Sequence, residues 1–171
     1  SQVELRIMAH FSNDETMLSA FRNGEDIHST TAAKVFHVDL KDVDYDMRRK
    51  AKSVNFGLIY GMSAFGLANN LDISRGEAKE IIDTYFEKFS AIKQFMDDAI
   101  NKVRETEYAE TILGRKRNLT DINARNHTIR GFAERNAINA PIQGSAADLV
   151  KLAMIDVHNW MKKEKLESKM I

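Results

Sequence analysis

Arg48, Lys52, Phe56 and Tyr60 follow one another at intervals of four in the run RRKAKSVNFGLIYG. On a helix that spacing sets them along one slowly drifting stripe, with two cations first and two aromatic rings after them. Positive charge holds phosphate, and a flat ring offers a face to a sugar or a base. The stripe therefore has the chemistry of a nucleoside triphosphate site. The same spacing also builds a solvated Arg/Lys face beside a Phe/Tyr core face. One electrostatic detail leans toward a ligand. The cations fall in the first turns of the helix, where the macrodipole disfavours each by roughly 0.3–1 kcal/mol.

A second stripe repeats the interval: Arg135, Asn139 and Gln143. All three carry hydrogen-bond donors. Minor-groove acceptors are shared among base pairs, so such donors can test duplex geometry without reading sequence. A plain polar helix face is the alternative. Between the stripes lie Arg115 and Arg117, beside Gly114 in TILGRKRNL. They face either nucleic acid or water.

The elements that must position these residues read mainly as helices. Val3 to His10 is short and apolar-rich, and is expected as a strand leading into a helix. Asp26 can cap a helix over Ile27 to Phe36. Asp46 is expected to cap the helix of the first stripe, which ends near Gly61. Ser74 and Glu77 form an S-x-x-E capping box. The apolar row that follows, from Ala78 to Val103, repeats at threes and fours and is core packing. Thr111 to Leu119 reads as two extended arms around a Gly turn. A last helical region runs from about Gly131 to Lys165, where Pro141 should kink or break it. Ser145 with Asp148 would restart it. Ala146, Leu149, Val150, Ala153, Val157, Trp160 and Met161 would form its buried face.

Composition sets outer limits. The chain has 171 residues, 43% of them hydrophobic, which suits one domain or a subdomain with an ordinary core. No apolar run is long enough to span a membrane, and Ser1 opens no signal-peptide pattern. With no cysteine there is no disulfide and no thiolate metal site. The net charge of zero counts against a simple basic footprint for nucleic acid. Charge is uneven, however. Residues 12–46 hold eight acids against Arg22, Lys34 and Lys41, whereas residues 113–135 hold six cations against Asp121 and Glu134. A local basic surface can hold phosphate while the rest balances the sum.

Three ordered motifs resemble one family. R-R-x-A-K-x-x-N-F-G-x-x-Y-G (residues 48–61) is similar to motif B, the fingers helix of family A DNA polymerases of the bacterial DNA polymerase I type. Ser1-Gln2-Val3-Glu4-Leu5-Arg6 resembles the second half of motif A. Glu134 to Asp148, ERNAINAPIQGSAAD, resembles the palm helix that grips the primer–template. The resemblance covers essentially the whole chain. It implies a mainly α fold, the fingers subdomain of a right-hand polymerase, with small β elements from the palm and a short hairpin. Residues 1–12 would be a palm remnant, 13–130 the fingers and 131–171 a palm helix region.

The resemblance also implies roles. Lys52 would contact the incoming triphosphate and protonate the departing pyrophosphate. Arg48 and His28 would contact the β- and γ-phosphates from two helices. Phe56 and Tyr60 would meet sugar and base, and Glu4 would crowd a ribose 2′-OH. Arg115, Arg117, Arg135, Asn139 and Gln143 would bind DNA. The implied partners are primer–template DNA, dNTPs and the palm and thumb of a longer chain, in a bacterial cytoplasm at the nucleoid, with no membrane.

The family's two metal-binding aspartates are expected outside this segment, one two residues before Ser1 and the other shortly after Ile171. Val157-His158-Asn159 has Asn where an aspartate ligand is required. Two Mg²⁺ ions are thus implied for an intact enzyme and none held tightly here. The chain reads as an excised segment, expected not to polymerise alone. Two other readings stand beside this one. One is a non-catalytic helical nucleic-acid-binding module. The other is a single-subunit RNA polymerase, against which Glu4 argues.

Overall fold

The computed structural model describes residues 2–169. Ser1, the first residue of the motif A match, lies outside them, as does Ile171. The described residues form eight α-helices, two short 3₁₀ turns and one antiparallel hairpin. The mainly α reading holds.

Helix α1 (Gln2–Ser12) occupies the stretch expected as a strand. Its apolar residues explain the difference. Leu5, Met8 and Ala9 recur at three and four, and all are fully buried, which is a helical period rather than an alternating one. α1 packs against α2 (Glu15–Arg22), α7 (Ser90–Thr106) and α8 (His127–Lys163), and so carries Glu4 into the middle of the molecule. α3 (Ile27–Val35) begins where predicted, with Asp26 accepting from the Ser29 N–H at 2.8 Å.

The helix of the first stripe is α4 (Tyr45–Ile59). Its cap is Asp44, which accepts from the Met47 N–H at 2.8 Å, and not Asp46. Asp46 instead lies in the first turn and pairs with Arg49 and Lys50 at 2.6 and 2.8 Å. A carboxylate there suits the positive end of the dipole and offsets two cations that do not. Gly61, with φ of +73°, ends the helix.

Beyond α5 (Ala64–Leu71), the predicted capping box starts α6 (Arg75–Lys88), with both of its reciprocal bonds formed. The apolar row from Ala78 to Val103 spans two helices, α6 and α7. Phe89 leaves helical geometry (φ −122°, ψ 55°) while its ring is fully buried 4.8 Å from that of Tyr85. The joint between α6 and α7 is thus pinned by packing. The hairpin pairs β1 (Tyr108–Glu110) with β2 (Lys116–Asn118), Tyr108 facing Asn118, around Gly114 at φ +79°. Its first arm begins three residues before the expected Thr111.

α8 departs most from expectation. It starts at His127 under an Asn126 cap and runs unbroken through Pro141. Proline has no N–H for the Ala137 carbonyl, yet the helix persists because both flanks are held in the core. Ala137 and Ile138 are buried before the proline, and Ile142 and Ala146 after it. Ser145 and Asp148 therefore restart nothing; they bond to the hairpin. Of the predicted buried face of α8, Ala146 is buried, whereas Leu149, Val150, Val157 and Trp160 (55% exposed) face outward. The core consists of two clusters. One joins α1 to α7 with Ile138, Ile142 and Ala146 of α8. The other gathers Val103, Ala109, Leu119 and Ile122 on Ala133, Ala137 and Ala140.

Because the Ser74–Glu77 box is exposed and touches no ligand site, Ser74→Ala should cost about 1 kcal/mol of stability. Urea unfolding measures it, and an unchanged midpoint would show that the cap contributes nothing.

Candidate functional site

α4 and α3 pack closely, and the first stripe divides between two surfaces. Lys52, Phe56 and Tyr60 line an open groove of about 440 Å³, together with Arg49, Ser53, Gly57, Met62 and Asn70. Arg48, one turn earlier, has drifted round to α3. Its Nε and Nη2 donate to Asp26 Oδ1 and Oδ2 at 3.1 and 2.7 Å, a two-pronged pair. The Arg48 guanidinium holds the Asp26 carboxyl down at about 2. Arg49 and Lys50 are engaged by Asp46. Among the described residues Lys52 has no carboxylate partner, and it is exposed. It is the uncommitted cation of the groove.

His28 is buried beside the Phe56 ring, with centroids 5.7 Å apart. Burial pushes its pKa below the ordinary histidine value, so at neutral pH it is an uncharged imidazole. The bonds around it select its tautomer. Thr31 Oγ1 donates to the Ile27 carbonyl at 2.8 Å, and so it accepts from Asn55 Nδ2 at 3.0 Å. The second proton of that amide points to His28 Nδ1 at 3.2 Å. With Nδ1 accepting, the ring proton sits on Nε2. His28 can then donate one hydrogen bond, but it brings no charge.

At the other end of α4, the Tyr60 hydroxyl donates to Glu4 Oε2 at 2.9 Å. Burial, and after it the bond to Glu4, raise the phenol pKa above its usual value, while Gln143 beside it opposes that rise. Gly61 lies against Arg135: a Cβ at residue 61 would meet Arg135 Cγ at 2.8 Å. The second stripe thus borders the first. Among the described residues the buried Asn139 Oδ1 has no hydrogen-bond partner.

Gln143 also lines a second groove of about 250 Å³ with Arg115, Lys116, Arg117, Thr111 and Gly144. Lys52, Phe56 and Tyr60 line the first groove, and Arg115, Arg117 and Gln143 the second; Glu4 and Arg135 meet Tyr60 and Gly61 at the end of α4, His28 lies against Phe56, and Arg48 stands apart on the α3 side. Sequence reasoning missed Asp26 as the partner of Arg48, and Asn55 and Thr31 as the relay behind His28. It also missed Asp148, whose carboxyl is held below the usual range first by the Thr111 hydroxyl and then by Arg115. From sequence Asp26 and Asp148 are cap residues, and no local pattern marks a long-range partner.

Known proteins of one family are similar to this chain in sequence and in fold. The family model for DNA polymerase family A matches residues 1–171. DNA polymerase I of Streptococcus pneumoniae TIGR4 is 54% identical over 172 residues, covering 100% of this chain and 20% of that protein. DNA polymerase I of Geobacillus stearothermophilus is 49% identical over 171 residues, with the same coverage. The chain spans about a fifth of the length of these curated relatives. Among solved structures, the POL domain of Pol1 from M. smegmatis, in complex with DNA primer-template and dNTP, superposes with a TM-score of 0.93. That match has 44% sequence identity and covers 98% of this chain and 30% of that one.

The ion pair between α3 and α4 has a pH signature. Asp26 falls from an ordinary 3.8 to about 2 in the fold. A depressed carboxylate contributes stability that is complete above about pH 4 and is lost as the pH falls through about 2. Asp26→Asn should therefore be less stable than the parent at neutral pH, with the gap closing across that acid window. Thermal unfolding along a pH series measures it, and a gap independent of pH would refute the pairing.

Proposed function

This chain belongs to DNA polymerase family A, and from that premise we propose that it forms the fingers and adjoining palm elements of a DNA-directed DNA polymerase. Residues 13–130 would be the fingers, with 1–12 and 131–171 contributed by the palm. In the reaction, a primer 3′-hydroxyl attacks the α-phosphate of a template-selected dNTP and pyrophosphate leaves. The work would be done in a bacterial cytoplasm, at the nucleoid.

One observation carries the reading: the uncommitted Lys52, the Phe56 and Tyr60 rings and the Arg135–Gln143 stripe form one continuous border. A triphosphate along α4 would put its charge on Lys52 and its sugar and base against the two rings. That leaves the primer–template minor groove within reach of Arg135, Asn139 and Gln143. Lys52 is exposed and would sit where pyrophosphate departs, an ammonium donor suited to a general acid. His28 would add a neutral Nε2–H donor to the phosphates. Arg48 would join once a phosphate displaces Asp26. Glu4, held by the Tyr60 hydroxyl, would stand against a ribose 2′-OH. Arg115 and Arg117 would flank the duplex.

Two-metal phosphoryl transfer needs carboxylates that hold both ions. Among the described residues no three His, Asp or Glu side chains are grouped to hold a metal ion. The residues present do not fit a metal centre, and we assign this segment none. On the same reading, the segment alone does not extend a primer. Among the described residues no helix is long and apolar enough to cross a membrane.

The test is single-nucleotide incorporation by a full polymerase carrying this segment. Lys52→Ala should lower the incorporation rate by about 10²–10⁴-fold, with primer–template affinity little changed. A helical DNA-binding module without a nucleotide site predicts the reverse, salt-sensitive DNA binding indifferent to both Lys52→Ala and Phe56→Ala. Wild-type incorporation by both variants would end the polymerase reading of this groove.

A further inference from the structure

Asp148 lies on α8 with its side chain only 8% exposed, and its carboxylate serves the hairpin rather than its own helix. Oδ2 accepts from the Thr111 hydroxyl at 2.5 Å, and Oδ1 accepts from Arg115 Nε at 3.0 Å, with Nη2 2.8 Å away. Two more bonds cross the same seam. The Ile112 N–H donates to Ser145 Oγ at 2.8 Å, and Arg115 Nη2 donates to the Gly144 carbonyl at 3.1 Å. Gly144 completes it: a Cβ there would overlap Thr111 Cγ2 at 2.5 Å.

This hairpin needs such a fastening. Its strands have three residues each, and all of β2 is exposed. Two isolated strands are marginal at best, and apolar burial here comes from Ala109 and from Leu119 just past β2, leaving the turn between the strands without any. The loop of the hairpin is tied to α8 by four hydrogen bonds, two of which meet at Asp148. The cations are sorted accordingly. Arg115 is engaged by Asp148, and Lys116 lies over the Tyr108 ring at 4.1 Å. Among the described residues Arg117 has no carboxylate partner, yet it lines the same groove as Gln143.

We propose that Asp148 is a positioning residue for duplex binding, latching the hairpin to α8 so that Arg117 is presented to a phosphate beside the Gln143 contact. The inference rests on the duplex role proposed for Gln143 and Arg117. Asp148 touches no DNA itself; it acts through Thr111 and Arg115.

The experiment measures primer–template affinity by fluorescence anisotropy across a salt series, with dNTP KM at saturating DNA, in a full polymerase carrying this segment. Asp148→Ala should weaken DNA binding about tenfold and flatten the dependence of log affinity on log salt by about one contact. The KM for dNTP should stay near the parent value. In an Arg117→Ala background, Asp148→Ala should add little, because the contact that it positions is already gone. Thr111→Val removes a single latch bond and should show a smaller shift in the same direction, with the melting temperature reporting that both variants fold. An unchanged salt slope, or losses that simply add in the double variant, would overturn the latch and leave Asp148 a structural residue. If the parent itself neither binds primer–template nor incorporates a nucleotide, the polymerase reading has failed instead.

Discussion

The end of α4 meets α8 at van der Waals range because residue 61 has no side chain. A Cβ there would press on Arg135, and the backbone turns through a positive φ that other residues resist. The consequence reaches well beyond one turn. Closure at Gly61 brings Tyr60 to Glu4 of α1 and alongside Gln143 of α8, so three helices distant in sequence share one junction. The groove along α4 then opens beside the polar stripe of α8. The α4 groove and the α8 stripe are adjacent only if this junction closes.

Around that junction, the proteins' general habit of pairing surface charge leaves few cations idle. Asp26 takes Arg48, Asp46 takes Arg49 and Lys50, and Asp148 takes Arg115. Among the described residues Lys52 in the first groove and Lys116 and Arg117 in the second have no carboxylate partner, Lys116 lying over the Tyr108 ring. The pairs made by Asp26 and Asp46 reach solvent, unlike the buried carboxylate of Asp148, and such pairs are weak, commonly below about 1 kcal/mol. They can therefore yield to a phosphate, and Arg48 can change partners where a buried pair could not. The near-zero net charge of the chain is thus compatible with two anion-facing surfaces, since what a phosphate meets is the local residue of cations left after pairing.

Much of this was legible in the sequence, and the exceptions have physical causes. The Asp26 cap, the Ser74–Glu77 box and the Gly61 stop depend on bonds within a few residues, and all three are present as read. Asp44 took the cap assigned to Asp46 because both are aspartates two residues apart, and only backbone geometry tells them apart. Val3 to His10 is helix and not strand because Leu5, Met8 and Ala9 repeat at three and four, a period that a reading by apolar content and short length alone passes over. The stripes of Arg48–Tyr60 and Arg135–Gln143 were visible as spacings, and the mainly α class followed from them. Their meeting at Gly61 was not visible, because a contact between residues 61 and 135 leaves no mark at either place. The same holds for Asp148 and the hairpin, 37 residues apart at the Thr111 bond.

α8 shows what periodicity can and cannot establish. The row Leu149, Val150, Val157 and Trp160 has a helical repeat, and the residues do lie on a helix, yet they are exposed among the described residues. A repeat defines a face; burial needs something packed on that face. Upstream, α1 and the hairpin supply that cover, and there the helix tolerates even Pro141. The lost bond at the Ala137 carbonyl costs less than would be lost by pulling Ile138 and Ile142 from the core on either side. The same helix is thus held by packing in its first half, while in its second half its regularity rests on local backbone bonds and helix propensity. Asp148 sits at that boundary, the last buried residue of α8, where the side chains stop facing the core and begin to face outward.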